Sequence, residues 1–164
     1  MKAKKISLSA IFIAIGVIAG NVIFIPIGAS KCFPVQHTIN VLTAIILGPS
    51  YSVAVAFSIS LLRNILGTGS LLAFPGSMIG ALLAGLIYKK TNIPILAVTG
   101  EVFGTGIIGG ILAYPIAKFI IGNDVTSLFF IAPFSISTIG GSIISYIIIK
   151  IMDFSKIGYI KKDL

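Results

Sequence analysis

The chain has 164 residues, 57% of them hydrophobic and 10% charged, with a formal net charge of +8. A mean hydropathy of +1.13 leaves too few polar groups to cover a water-soluble globule of this size, which excludes a soluble enzyme and a disordered chain. The 18 glycines follow no collagen period, and the lone cysteine excludes a disulfide framework and a zinc-finger thiol set.

Such a chain belongs in a bilayer, and its charges mark where apolar runs end, because a charge at the bilayer centre costs about 2.5–3.5 kcal/mol. The first run predicts a helix over residues 6–27. Its basic start and Ala19-Gly20 imitate a signal peptide, but an equally apolar chain follows and needs a first span to orient it. The stretch between Lys31 and Arg63 is too long for one helix. It contains Gly48-Pro49-Ser50, a stop-and-turn signal, and so predicts two short helices, 35–48 and 50–66. Further helices are expected over 75–89, 93–121 and 128–152. The expected fold is an all-α membrane protein, one domain over 1–164 with six transmembrane helices. With both termini cytoplasmic, nine of the 12 Lys and Arg residues lie inside (Lys2, Lys4, Lys5, Lys89, Lys90, Lys150, Lys156, Lys161, Lys162). Lys31, Arg63 and Lys118 remain outside.

No phosphate-cradling G-x-x-x-x-G-K-[ST] stretch, H-E-x-x-H or Cys/His cluster is present. The acids Asp124, Asp153 and Asp163 fall at interfaces or in the tail, far in sequence from the single histidine, His37. Catalysis, a metal and a cofactor are therefore not expected. Small residues four apart form stripes on which helices approach closely. They occur at Ala10/Ala14 and Gly16/Gly20 on the first helix, Gly76/Gly80/Ala84 on the fourth, and Gly100/Gly104 and Gly106/Gly110 on the fifth. Packing within the chain explains most of them.

Polar residues in apolar spans carry the functional signal. Glu101 is the only acid inside a predicted span; packing and ligand contact both stand open for it. Gln36, His37 and Asn40 cluster at the start of the second helix, with His37 and Asn40 on one face. Arg63-Asn64 precedes the flexible Gly67-Thr68-Gly69-Ser70; headgroup anchoring and ligand contact are both open for Arg63. Ser135, Ser137 and Thr138 open the sixth helix, where hydroxyls often bond back to their own backbone. Cys32 reads as a small apolar residue, and Phe74 and Tyr114 as packing residues. Most of this polar material, with Asn123 and Asp124, falls on the outer side. The pattern predicts an outward-facing polar cup for a small neutral or weakly polar ligand.

The chain resembles the substrate-binding (S) components of energy-coupling factor (ECF) transporters. The stretch from Lys31 to Val41, Gly48-Pro49, the run from Arg63 to Ser70, and Phe74-Pro75-Gly76-Ser77-Met78 are similar to the ThiW branch, proposed carriers of the thiamin precursor hydroxyethylthiazole. The resemblance implies a chain in the prokaryotic plasma membrane that binds its vitamin precursor from outside. It also implies docking, through the small-residue face carrying Ala10 and Ala14, on a membrane coupling protein joined to two cytoplasmic ATPases. Delivery is implied to occur by toppling of the S component in the bilayer. The expected ligand residues are Gln36, His37, Asn40, Arg63, Asn64, Glu101 and Ser137. An ionised Glu101 in the pocket would favour cationic thiamin instead. A channel, an ion-coupled carrier and a ligand-free scaffold are the other readings. The halves of the chain lack the paired broken helices of inverted-repeat carriers.

Overall fold

The computed structural model describes residues 2–27 and 30–152. Asp153, Lys156, Lys161, Lys162 and Asp163 therefore lie outside the described residues. Six helices form the bundle: α1 Lys2–Val22, α2 Pro34–Ile46, α3 Pro49–Ile65, α4 Ala73–Thr91, α5 Pro94–Ile121 and α6 Ile131–Ile151. Three of them, α1, α5 and α6, are long and apolar enough to cross a bilayer.

The first helix ends before the predicted residue 27. Pro26 offers no N–H to a helix and pushes Ile25 toward extended backbone. Ile25–Ile27 instead forms β1, paired antiparallel with β2, Ser30–Cys32, with Ile25 opposite Cys32. This two-stranded hairpin is the one departure, among the described residues, from an otherwise all-α fold.

Helix α2 is the axis of the molecule. It packs against α1, α3, α4, α5 and α6, and every one of its residues except Val35 is buried. It has 13 residues, about 20 Å at 1.5 Å per residue, less than the roughly 30 Å hydrocarbon core. Its neighbours shield it, so it need not match that thickness. The interior holds Gln36, His37, Asn40, Arg63, Glu101 and Thr105, while Ile11, Ile18, Phe103, Ile107, Ile143 and Ile147 face outward. Polar groups inside and an apolar coat outside invert the soluble pattern and mark a membrane protein.

Glycines set the helix spacings. A Cβ on Gly104 of α5 would lie 2.8 Å from the Gly80 Cα of α4, and one on Gly80 would lie 2.6 Å from Glu101 Oε2. Around these contacts α5 widens into π-helical turns over Val102–Gly109 and again over Ile116–Ile121; π-turns recur at functional sites. On α1 the two small-residue pairs divide. Gly16 and Gly20 are buried against Ile59 and Arg63 of α3, whereas Ala10 and Ala14 are exposed.

A polar cavity at one end of the bundle

The start of α2, the end of α3, the start of α4, the end of α5 and the start of α6 meet at one end of the molecule. Between them lies a cavity of about 520 Å³, within the usual range for small-molecule sites.

The α3–α4 loop is shaped by how α3 stops. Gly67 takes a left-handed conformation (φ +70°), its N–H donates to Asn64 O, and Thr68 N–H reaches back to Arg63 O at 2.9 Å. This double closure satisfies the last carbonyls of the helix. Gly69 lies so close to Arg63 and Asn64 backbone that a Cβ would come within 2.9 Å. The Asn64 amide donates to Ser60 O and Ser70 O, clamping the loop onto the helix. Thr68, Gly69 and Ser70 then form one wall of the cavity.

Arg63 is only 2% exposed, so the structure turns it away from headgroup anchoring and into the cavity wall. Its guanidinium donates to Gln36 Oε1 at 2.8 Å and to Thr68 O at 3.1 Å, and lies 3.8 Å above the Phe33 ring. Among the described residues the one acid facing a basic side chain is Glu101, against His37, so the partners of Arg63 are neutral. Gln36 Nε2 passes the chain on to Ser60 Oγ at 2.9 Å, and Ser60 Oγ lies 3.1 Å from Ser77 Oγ. Asn40 Nδ2 donates to both Ser77 O and Glu101 Oε1, at 3.1 and 3.0 Å. Glu101 Oε1 also lies 2.9 Å from His37 Nδ1 and 3.0 Å from Thr105 Oγ1. A continuous buried network thus runs from a cation at the rim to an acid beneath the floor. Paired through neutral groups in this way, both charges avoid the full cost of isolated burial.

Of the expected ligand residues, Gln36, His37, Arg63 and Ser137 line the cavity. Ser137 Oγ accepts the Phe33 N–H at 2.8 Å, which ties α6 to the start of α2. Asn64 is spent on its loop. Asn40 and Glu101, both 0% exposed, lie below the floor and reach the cavity through His37, Ser77 and Thr105. Ser77, Thr105 and Asn123 line it in addition, as do Phe33, Phe129, Phe130 and Phe134. Phe129 and Phe130 meet edge to face at 5.1 Å between centroids. The sequence gives this aromatic wall no special mark, because Phe129, Phe130 and Phe134 fall in the first turns of the predicted 128–152 helix, where apolar side chains are ordinary; three phenylalanines within 129–134 are the available signal. Phe74 packs on Phe57, and Tyr114 receives Lys118 Nζ. Cys32 is buried with its Sγ–H toward Pro133 O, and burial raises its thiol above the ordinary value, consistent with an unreactive packing residue. Among the described residues no His, Cys, Asp and Glu cluster of metal-binding size occurs.

One side of the cavity can therefore stack and exclude water while the other donates and accepts hydrogen bonds. That combination suits a small ring with a polar substituent. A family model described as thiamine-precursor transporter protein (ThiW) matches residues 6–154. No curated protein and no solved structure matches the chain.

Proposed function

The chain belongs to the ThiW family of thiamine-precursor transporter proteins, and from that premise we propose that it is the S component of an ECF importer and captures hydroxyethylthiazole from outside. The observation that carries the ligand assignment is the position of the charges. Glu101 is sealed beneath His37, and the charged group reaching the cavity is Arg63. With His37 uncharged, Arg63 and Glu101 balance, which suits a neutral ligand. Thiamin carries a thiazolium cation. Held about 6 Å from the Arg63 guanidinium, that cation would be repelled by roughly 3 kcal/mol at an effective dielectric of about 20. The neutral thiazole alcohol avoids this repulsion. Its ring fits the phenylalanine wall, and its nitrogen and hydroxyl match the donors and acceptors opposite.

Thermal denaturation of the purified full chain tests this reading. Hydroxyethylthiazole at about 100 times its dissociation constant should stabilise the protein by roughly 2.7 kcal/mol, and thiamin at the same concentration should not. Stabilisation by thiamin alone would reverse the substrate assignment.

In this reading all six helices span the membrane and both termini are cytoplasmic, as the distribution of lysines favours. The cavity then opens outward. Ala10 and Ala14 form the docking face for the ECF transmembrane coupling protein, whose two ATPase subunits supply the energy. Their exposure in the isolated chain leaves this face free for a partner. Ala14→Trp should leave stability within about 0.5 kcal/mol of wild type, with ligand binding intact. Uptake by vesicles containing the complete transporter should fall at least about ten-fold, the effect of roughly 1.4 kcal/mol of lost docking energy. Normal uptake would remove the alanine pair from the interface. Toppling predicts in addition that crosslinks fixing the tilt of the docked S component abolish uptake in the same vesicles.

A further inference from the structure

The protein has one histidine, and its two ring nitrogens have different surroundings. Nδ1 faces Glu101 Oε1 at 2.9 Å. Nε2 is not among the buried atoms that lack a partner, and the ring lines the cavity. Nε2 is thus the nitrogen open to a ligand. For the neutral ring, whether it donates or accepts depends on where the proton between His37 and Glu101 resides.

The neighbours of the carboxylate decide that. Ser77 O is a carbonyl and can only accept, so the Asn40 atom 3.1 Å from it is the amide nitrogen. The same nitrogen is 3.0 Å from Glu101 Oε1, which therefore already receives an N–H. A carboxyl proton on Oε1 would compete with that hydrogen. A proton on Oε2 would have no acceptor, because Oε2 is sealed without a partner against the backbone of Gly80. Buried orphan donors are rarer than under-used acceptors. Both oxygens of Glu101 are best left bare, and Nδ1 then carries the hydrogen.

We propose that Glu101 is a positioning residue: it holds His37 in the Nδ1–H form, so that Nε2 is presented to the cavity as a lone-pair acceptor that selects a ligand hydroxyl. This rests on the thiazole-alcohol reading for the identity of the ligand, but the proton position stands on the geometry alone. A hydroxyl can donate to Nε2; a ring nitrogen, a thioether sulfur or an alkyl group cannot. A site built around an acceptor rejects the analogue without the hydroxyl, because the acceptor is then left unpaired.

Isotopic labelling of the imidazole nitrogens gives NMR signals from His37 alone. In the ligand-free full chain, a protonated Nδ1 and an unprotonated Nε2 are expected; a protonated Nε2 overturns the proposal. Binding is then compared for hydroxyethylthiazole and for the same thiazole with an ethyl group in place of hydroxyethyl. In Glu101→Ala, where Nδ1 has lost its acceptor, the ring should shift toward the Nε2–H form. The alcohol should bind about ten-fold more weakly, the worth of one good hydrogen bond, and the ethyl compound should change less than about two-fold on the same scale. An equal loss for both compounds would make Glu101 a merely structural residue and overturn the proposal. If the wild-type chain binds neither thiazole, the ligand reading fails, and the nitrogen signals still decide the proton position.

Discussion

Replacing Arg63 by alanine should reduce affinity for hydroxyethylthiazole at least about 100-fold while the helical content of the protein is kept. The guanidinium links three parts of the cavity: Gln36 on α2, the Thr68 carbonyl in the α3–α4 loop and the Phe33 ring. Each hydrogen bond to a charged group is worth about 1.5–3 kcal/mol; these two hold the cavity wall itself, so their loss reaches affinity through the displaced wall together with the lost guanidinium, and a 100-fold change corresponds to roughly 2.8 kcal/mol. Stability should fall less than the sum of the two bonds, because removing the cation also relieves its own desolvation. Arg63→Lys keeps the charge but not the planar fork that reaches two acceptors at once, and should recover less than about ten-fold of the lost affinity. Calorimetric titration of each variant, with circular dichroism as a control, reads both effects. Wild-type affinity in Arg63→Ala would remove Arg63 from the site and the charge argument against thiamin with it.

Gly141→Val should be the most damaging single change to the fold. A Cβ at this position of α6 would collide with the Pro34 carbonyl oxygen and approach the His37 Cβ at 2.7 Å and the Thr38 nitrogen at 2.9 Å. Thr38 Oγ1 also donates to Gly141 O at 2.9 Å, so α2 and α6 are hydrogen-bonded across the contact that the side chain would fill. Most of the obstacle is backbone and cannot rotate away. Overpacking costs about 1–3 kcal/mol where side chains can yield and more where they cannot. A loss of about 3 kcal/mol or more corresponds to a drop in melting temperature of roughly 6–12 °C for a chain of this length. Its neighbour supplies the control: a Cβ on Gly140 meets only the Pro34 Cβ, at an ordinary 3.6 Å, so Gly140→Ala should melt near wild type. If both variants melt alike, close approach at Gly141 does not hold α6 to α2.

The helices were largely legible in the sequence because charges and proline-glycine signals punctuate the apolar runs. Gly48-Pro49 separates α2 from α3 as its chemistry requires: Gly48 takes φ +91° and Pro49 opens the next helix. Pro26 carries the same kind of signal, although the apolar run continues past it to residue 27. The two small-residue pairs on α1 looked alike in sequence. Only packing separates them, because four-residue spacing puts a pair on one face without saying what that face meets.

The site was legible by residue type and not by layer. Arg63, Gln36, His37 and Ser137 reach the cavity, while Asn40 and Glu101 stand behind it. His37 and Asn40 share a face of α2, yet one turn along the helix carries a side chain from the cavity wall to beneath its floor.

Composition and charge spacing by themselves determined that this chain enters a bilayer as a helical bundle with its scarce polar groups inside, since only helices and closed barrels satisfy the backbone in lipid and the long unbroken apolar runs fit helices. The tertiary structure alone decided that the acid faces the histidine and the arginine faces the cavity. That choice depends on residues 64 positions apart meeting across α2 and α5, and no local pattern encodes such a meeting.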